Sequence, residues 1–333
     1  MSARSIAIVP LSQLVPGQEA DLFALLSAKE ELTTRDGKRY CRVAFRDHAR
    51  EVSFPIWAES PHAADCAANW TVGAFYKLRA AYRQTNYGPQ LDIERIRQIT
   101  DADRADGFDP AMCRPRSRFD VEALHAELLR VAETEIRRPE LQSLAVDLLT
   151  EHREAICALP ASERLHHAYA GGWLEHTHST LTTAIFLADR YLAQYPDLRP
   201  PLDRDLVVVG ALLHDIGKLR ELAPTPLGAE LTAPGHLIGH IVQGRDLVRE
   251  AAAGRDIEPE LLLRLEHVLL SHHETPEYGA PKPPMTPEAL LVRYADDIDA
   301  KFHMFTQALA SDTGDGPVTS KKNALGRHIY RGE

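Results

Sequence analysis

A chain of 333 residues, 44% hydrophobic and 26% charged, has room for two ordinary domains and the composition of a globular protein, which excludes a collagenous, disordered or membrane-embedded chain. Its longest apolar run, Leu206 to Leu213, is far short of the roughly 20 residues that span a bilayer, and Pro10, Ser12 and Gln13 interrupt the N-terminus before a signal-peptide core could form. The expectation is a soluble cytoplasmic protein with no membrane contact. The net charge of −10 is uneven: residues 1–100 hold 13 Lys+Arg against 11 Asp+Glu, and the remainder 25 against 37, so the longer part cannot draw nucleic acid by charge alone.

From Glu19 to Ile99 short β-type runs are separated by turn signals. Asp36-Gly37 is a hairpin cue, and Tyr40, Arg42, Ala44 and Arg46 alternate with Cys41, Val43, Phe45 and Asp47, which gives a strand one buried and one wetter face. Five such runs predict a small all-β barrel over residues 1–100. Residues 101–118 carry charges, Gly107, Pro110 and Pro115 without periodicity and read as an interdomain linker. Beyond it the period turns helical, with Asp120 as a plausible N-cap and Pro139 starting a second helix, and an all-α domain is expected over 119–310. Residues 311–333 open with SDTGDGP and are expected to form a loosely held tail.

The chemistry lies in the helical part. The four cysteines, Cys41, Cys66, Cys113 and Cys157, form no Cys-x-x-Cys pair, so neither a disulfide framework nor a thiolate zinc site is indicated. Of the 16 histidines, 11 fall between His166 and His303. In LVVVGALLHDIGK a buried helix runs into His214 and Asp215, a pair costly to bury without a partner, and Asp215 has two oxygens with which to bridge two cations. Lys218 follows four residues after His214, where it could hold a phosphate oxygen, while Gly217 would let a substrate approach. Further ligands are offered by His176 or His178, by His236 and His240, by His272 and His273, and by the crowd of Asp296, Asp297 and Asp299. Spacing alone does not choose within these sets, and a helix end capped by Gly and Lys is the ordinary alternative for Gly217-Lys218.

The ordered series His176, His214-Asp215, His240, His272 and Asp296 resembles the His-Asp (HD) superfamily of metal-dependent phosphohydrolases, an all-helical fold. More narrowly, GGWLEHT, GALLHDIGKLREL, HLIGHIVQG, SHHETPEYGAPKPPMTPEAL and DDIDAK are similar to the YhaM-type 3'-to-5' exoribonucleases, in which an OB-fold precedes the HD domain. The likeness spans about Leu14 to Phe305, with the turn Asp47-His48-Ala49-Arg50 lacking the usual glycine. It implies an α+β multidomain chain, an all-β OB barrel followed by an all-α HD domain. It further implies that His176, His214, Asp215 and Asp296 bind one divalent ion, and Asp215, His240 and His272 a second. Manganese is favoured, and the nitrogen and oxygen donors also admit iron, cobalt, nickel or zinc. Asp215, Lys218 and His273 would be catalytic, His273 as proton donor to the leaving oxygen. Tyr40, Arg42, Trp57, Tyr82 and Tyr87 would bind single-stranded RNA or DNA by stacking and charge, nucleoside monophosphates would be released, and a homo-oligomer is expected. The alternatives are an HD phosphohydrolase of nucleotides or cyclic nucleotides, and a non-catalytic binder of single strands. The stretch Glu277-Tyr278-Gly279-Ala280-Pro281 lacks the Gly-Tyr-Pro signature of cyclic-di-GMP hydrolases.

Overall fold

The computed structural model describes residues 8–86, 88–312, 314 and 316–332. The chain divides into two compact units, one running to Arg116 and including Thr225–Gly228, the other comprising Ser117–Pro224 and Ala229 onwards.

In the first unit, β1 (Glu19–Thr33), β2 (Arg39–Arg46), β3 (Glu51–Trp57), β4 (Phe75–Thr85) and β5 (Gly88–Gln98) form one antiparallel sheet in the order β3-β2-β1-β4-β5. β5 returns beside β3, and α1 (Ala63–Asn69) fills the connection between β3 and β4, which is the five-stranded Greek-key barrel of an OB-fold. Alternation decides the faces: Leu22, Ala24 and Leu26 of β1 meet Val43 and Phe45 of β2 and Tyr76, Leu78 and Ala80 of β4 in one core. Lys29 ties α1 to the sheet by donating to the carbonyls of Cys66, Ala67 and Trp70, the last bond being 2.7 Å. In place of the absent glycine, Asp47 holds its turn by accepting the amides of Ala49 and Arg50 at 2.9 and 2.7 Å.

The stretch 101–118 is not a bare linker. Phe108 and Cys113 pack with Phe23 and Leu25 on the outer face of β1. Asp103, buried beneath the start of a 3-10 turn (Asp101–Arg104), closes a capping box with Thr100 and takes a two-pronged pair from Arg97 at 2.6 and 2.7 Å. Those apolar and ionic contacts fasten most of the stretch to the barrel unit.

The second unit is helical, with α2 (Val121–Glu135), α3 (Pro139–Glu151), α4 (Arg153–Ala158), α5 (Gly172–Gln194), α6 (Arg204–Leu213) and α7 (Lys218–Glu221). A two-stranded hairpin of β6 (Leu222–Thr225) and β7 (Gly228–Leu231) follows, and then α8 (Ala233–Leu237), α9 (His240–Ala252), α10 (Pro259–Ser271) and α11 (Pro287–Ser311). Asp120 caps α2 by accepting from the amides of Glu122 and Ala123. Helix α6 is buried from Asp205 to Leu213, and α5, α10 and α11 pack around it. Gly210 permits that closeness, because a Cβ there would meet Val268 Cγ1 at 2.7 Å. Among the described residues no helix is long and apolar enough to cross a membrane.

The end of the chain departs from the expected loose tail. Val318 bridges Tyr330, and Thr319 and Ile329 are buried.

Candidate metal centre

The ends of α6 and α10, the starts of α5 and α9 and the interior of α11 converge on Asp215. Its two oxygens face different neighbours. Oδ2 lies 3.6 Å from His176 Nε2 and 3.5 Å from His214 Nε2, and Asp296 Oδ1 completes that group 3.1 Å from His176 Nε2. Oδ1 lies 3.4 Å from His240 Nε2 and 3.6 Å from His272 Nε2. The six expected metal ligands are thus brought together: Asp215 groups with His240, His272 and His273, His176 groups with His214 and Asp296, and the second oxygen of Asp215 faces that latter group.

Each imidazole is fixed by its other nitrogen. His214 Nδ1 donates to the Ala211 carbonyl at 2.9 Å, His272 Nδ1 to Leu269 at 2.8 Å and His273 Nδ1 to Tyr278 at 2.7 Å. A carbonyl only accepts, so a proton resides on Nδ1, and in the neutral ring Nε2 presents a lone pair. His240 Nδ1 makes the corresponding bond to Glu221 Oε1 at 2.9 Å, and Asp299 Oδ2 accepts from His176 Nδ1 at 2.7 Å. Lone pairs and a carboxylate oxygen therefore point at one another. Asp215 Oδ1, His240 Nε2 and His272 Nε2 are buried without a hydrogen-bond partner among the described residues, an arrangement that repels itself unless a cation lies between them. The donor set fits a divalent ion, and no cysteine joins either cluster among the described residues.

The electrostatics agree. Burial alone would raise the carboxyl of Asp215, yet Lys218 and the surrounding imidazoles hold it well below the usual carboxylate range. Asp296 is likewise held low against burial, chiefly by its hydrogen bond with His176. His176, disfavoured as a cation by burial, is nonetheless raised to about 9 by Asp296 and Asp299, so a divalent ion entering there displaces a proton. Burial lowers His214 to about 4.

The open choices resolve on geometry. His178 lies outside both clusters, since residues two apart leave a helix on different sides. His236 is exposed at the end of α8, and the chain turns at Gly239 (φ 79°) before α9, so His236 and His240 do not share a helix face. Asp296 enters the site, Asp297 pairs with Arg293 and Lys301 at 3.3 and 2.8 Å, and Asp299 stands behind His176. Both His272 and His273 reach the second cluster.

Three expectations change. Burial, with His272 beside it, pushes His273 down to about 3, and its Nδ1 bond leaves a lone pair on Nε2; a neutral acceptor does not donate the proton expected of it. Lys218 is buried with its ammonium 2.5 Å from Asp215 Oδ2, so it neutralises the Asp215 carboxylate rather than standing free for a phosphate. Gly217 serves packing, because a Cβ there would strike the His240 carbonyl at the start of α9.

A further layer escaped the sequence reading. His167 Nε2 donates to the same Asp299 oxygen at 3.0 Å, and the Tyr169 hydroxyl lies 2.8 Å from His167 Nδ1 and 3.0 Å from Glu175. Ser117 donates to Glu175 at 2.7 Å. The ring of His166 leans on that of His176 with centroids 5.0 Å apart, and its Nε2 is buried with no partner among the described residues. The adjacent pair His166-His167 just before Gly171-Gly172 was the available signal.

On the barrel, Tyr40 and Trp57 are partners in the β2–β3 register with ring centroids 4.9 Å apart, and Arg42 follows on the same face, paired with Glu30 at 2.6 Å. Trp57 is 43% exposed. Tyr82 does not join them. It alternates in phase with Leu78 and Ala80, enters the core, and is covered by the Arg50 guanidinium 5.0 Å from its ring centroid. Tyr87 lies outside the described residues.

Residues 173–301 match the family model for the HD domain, and residues 119–221 match the TraI_2 model, which carries a helicase description. The sequence holds no G-x-x-x-x-G-K-[S/T] nucleotide loop of the kind that powers helicases. Two solved structures from Methanococcus maripaludis are similar to part of the chain. The solution structure of the second OB-fold domain of replication protein A is 17% identical, covering 28% of this chain and 96% of its own at a TM-score of 0.22. A crystal structure of a domain of replication protein A is 12% identical, covering 28% and 94% at a TM-score of 0.23.

Proposed function

We propose that this chain, an OB barrel joined to an HD domain, is a metal-dependent phosphodiesterase that shortens single-stranded RNA, with single-stranded DNA as a further substrate, from the 3' end and releases nucleoside monophosphates. The observation that carries the hydrolytic part is Asp215, with one oxygen turned to each of two buried imidazole clusters. His176, His214, Asp215 and Asp296 would hold one divalent cation, and Asp215, His240 and His272 a second, with manganese favoured. Ions bound in such a centre acidify a water and neutralise phosphate oxygens.

The protein's own part is positioning and charge. Backbone carbonyls fix His214 and His272, while Glu221 and Asp299 fix His240 and His176, so the donor atoms are set before anything binds. Lys218 offsets the negative charge of buried Asp215. His273 presents a neutral Nε2 lone pair 4.0 Å from Asp296 Oδ2, suited to receive a proton or orient a water at the rim of the centre. On the barrel, Tyr40 and Trp57 form an aromatic platform with Arg42 beside it, and base stacking on such rings is worth roughly 1–3 kcal/mol per base without regard to sequence.

A linear single-stranded RNA and its covalent circle, each incubated with protein and manganese, separate the readings. The linear strand is expected to be degraded and the circle to survive. Cleavage of the circle would contradict action from an end, and survival of both strands with turnover of a cyclic or mononucleotide would favour a small-nucleotide phosphohydrolase.

A further inference from the structure

We propose that the folded C-terminal loop, residues 316–332, is a phosphate-binding element that grips single-stranded nucleic acid away from the reacting end; the inference rests on the nucleic-acid reading above. From Gly316 to Gly332 the chain carries Lys321, Lys322, Arg327 and Arg331 and no Asp or Glu, although acidic residues outnumber basic ones after residue 100. Arg331 is pinned to Asp312 at 3.1 Å. Lys321, Lys322 and Arg327 are exposed, and among the described residues none of them has an ion pair.

The loop is built rather than frayed. Its two legs are joined by the Thr319 amide donating to the Ile329 carbonyl at 2.8 Å and the Arg331 amide to Pro317 at 3.0 Å. Asn323 Nδ2 donates to the carbonyls of Ser320 and Arg327, both at 2.7 Å, and so brings the two lysines and Arg327 onto one small turn. Buried Thr319 and Ile329 anchor the base. His328 Nδ1 donates to the Thr319 carbonyl at 2.6 Å, and the Tyr330 ring is exposed beside it.

A disordered basic tail would be ordinary solvated charge. Here three like charges are held on one ordered turn with no carboxylate partner among the described residues, so a polyanion binds without first meeting the entropy of ordering the segment. An exposed tyrosine, Tyr330, at the base of the same loop favours a single nucleic-acid strand over an acidic protein, because bases can stack on its ring. Helix α11 carries Asp296, its last residue lies about 22 Å along the axis from Asp296, and Asp312, the next residue, is paired with Arg331 of the loop. A strand held both at the centre and at the end of α11 would extend several nucleotides beyond the scissile bond, farther than a dinucleotide reaches.

The test compares the full chain with its K321A/K322A/R327A variant. Binding of a fluorescent single-stranded RNA long enough to span centre and loop is read by anisotropy across a salt series in EDTA, where hydrolysis stops. Hydrolysis of a dinucleotide with manganese is read separately. The expected result is roughly tenfold weaker RNA binding at moderate salt, with the slope of log K against log salt reduced by about 2, since each lost phosphate contact removes about 0.7. Dinucleotide hydrolysis is expected to be unchanged. Equal affinity and slope in both proteins would overturn this inference and leave the function intact. A parent chain that binds no RNA would overturn both, and a variant that also loses dinucleotide hydrolysis would show that the loop acts through folding instead.

Discussion

At the scale of single residues, the centre is built from atoms that would repel one another. The carboxylate of Asp215 and the Nε2 atoms of His240 and His272 meet in a buried space with the ring Nδ1 atoms bonded outward, while His176 Nε2 is within hydrogen-bond reach of Asp296 at 3.1 Å and of His214 Nε2 at 3.2 Å. His166 adds a further unpartnered nitrogen beside His176, and burial keeps it neutral by pushing its pKa well below the ordinary value. We predict that His166→Ala lowers phosphodiester turnover on the order of a hundredfold, as loss of a positioned polar contact to the reacting group does, while the manganese content of the purified protein stays unchanged. Loss of metal together with activity would make His166 a part of the ligand set instead. The histidines that converge on Asp215 were legible through the ordered series that resembles the HD superfamily, while spacing alone left His176 or His178, His236 or His240, and His272 or His273 open. Asp299, His167 and Glu221 were not read as supports, since what they do depends on the other nitrogen of each ring, and spacing along the chain does not carry that.

At the scale of elements, alternation and caps account for most of what the sequence told. Tyr40 and Trp57 fell on the outer face as expected, while Tyr82 was misassigned, although its phase with Leu78 and Ala80 on β4 already placed it inward. The stretch 101–118 was misread for a related reason: its charges, glycine and prolines hid two apolar anchors, Phe108 and Cys113, and the ionic cap at Asp103. That cap yields a stability prediction. The hydrogen bonds from Arg97, opposed by burial and reinforced by Thr100, hold the Asp103 carboxyl far below its ordinary value. A carboxylate depressed in the folded state contributes stability that is complete above its unfolded pKa of about 3.9 and fades as pH falls through the lower folded value. Asp103→Asn is expected to destabilise the barrel unit by about 2–4 kcal/mol at neutral pH, because Arg97 and the cap lose a charged acceptor. The difference between parent and variant should shrink on acidification below about pH 4. Urea unfolding at several pH values checks this, and a difference independent of pH would sink it.

At the scale of the whole molecule, two units with separate hydrophobic cores carry two kinds of chemistry. The fold class was readable because a period of two gives way to a helical one after residue 118, and because a helix buried from Asp205 to Leu213 ends at His214-Asp215. The C-terminal segment was the clearest failure of that reading. Gly, Asp and Pro at its start suggested looseness, whereas Thr319, Asn323 and Ile329 fold it through hydrogen bonds among residues four to ten positions apart, which no periodicity announces. The central claim joins the two units in one activity, the stepwise hydrolysis of a single strand at the cation centre around Asp215. A time course on 5'-labelled single-stranded RNA with manganese, run beside an EDTA control and the Asp215→Asn variant, tests it most directly. The account predicts a ladder that shortens steadily from the 3' end with the parent protein and intact RNA in both controls. Intact RNA with the parent protein, or a ladder that persists in EDTA or in the variant, would contradict it.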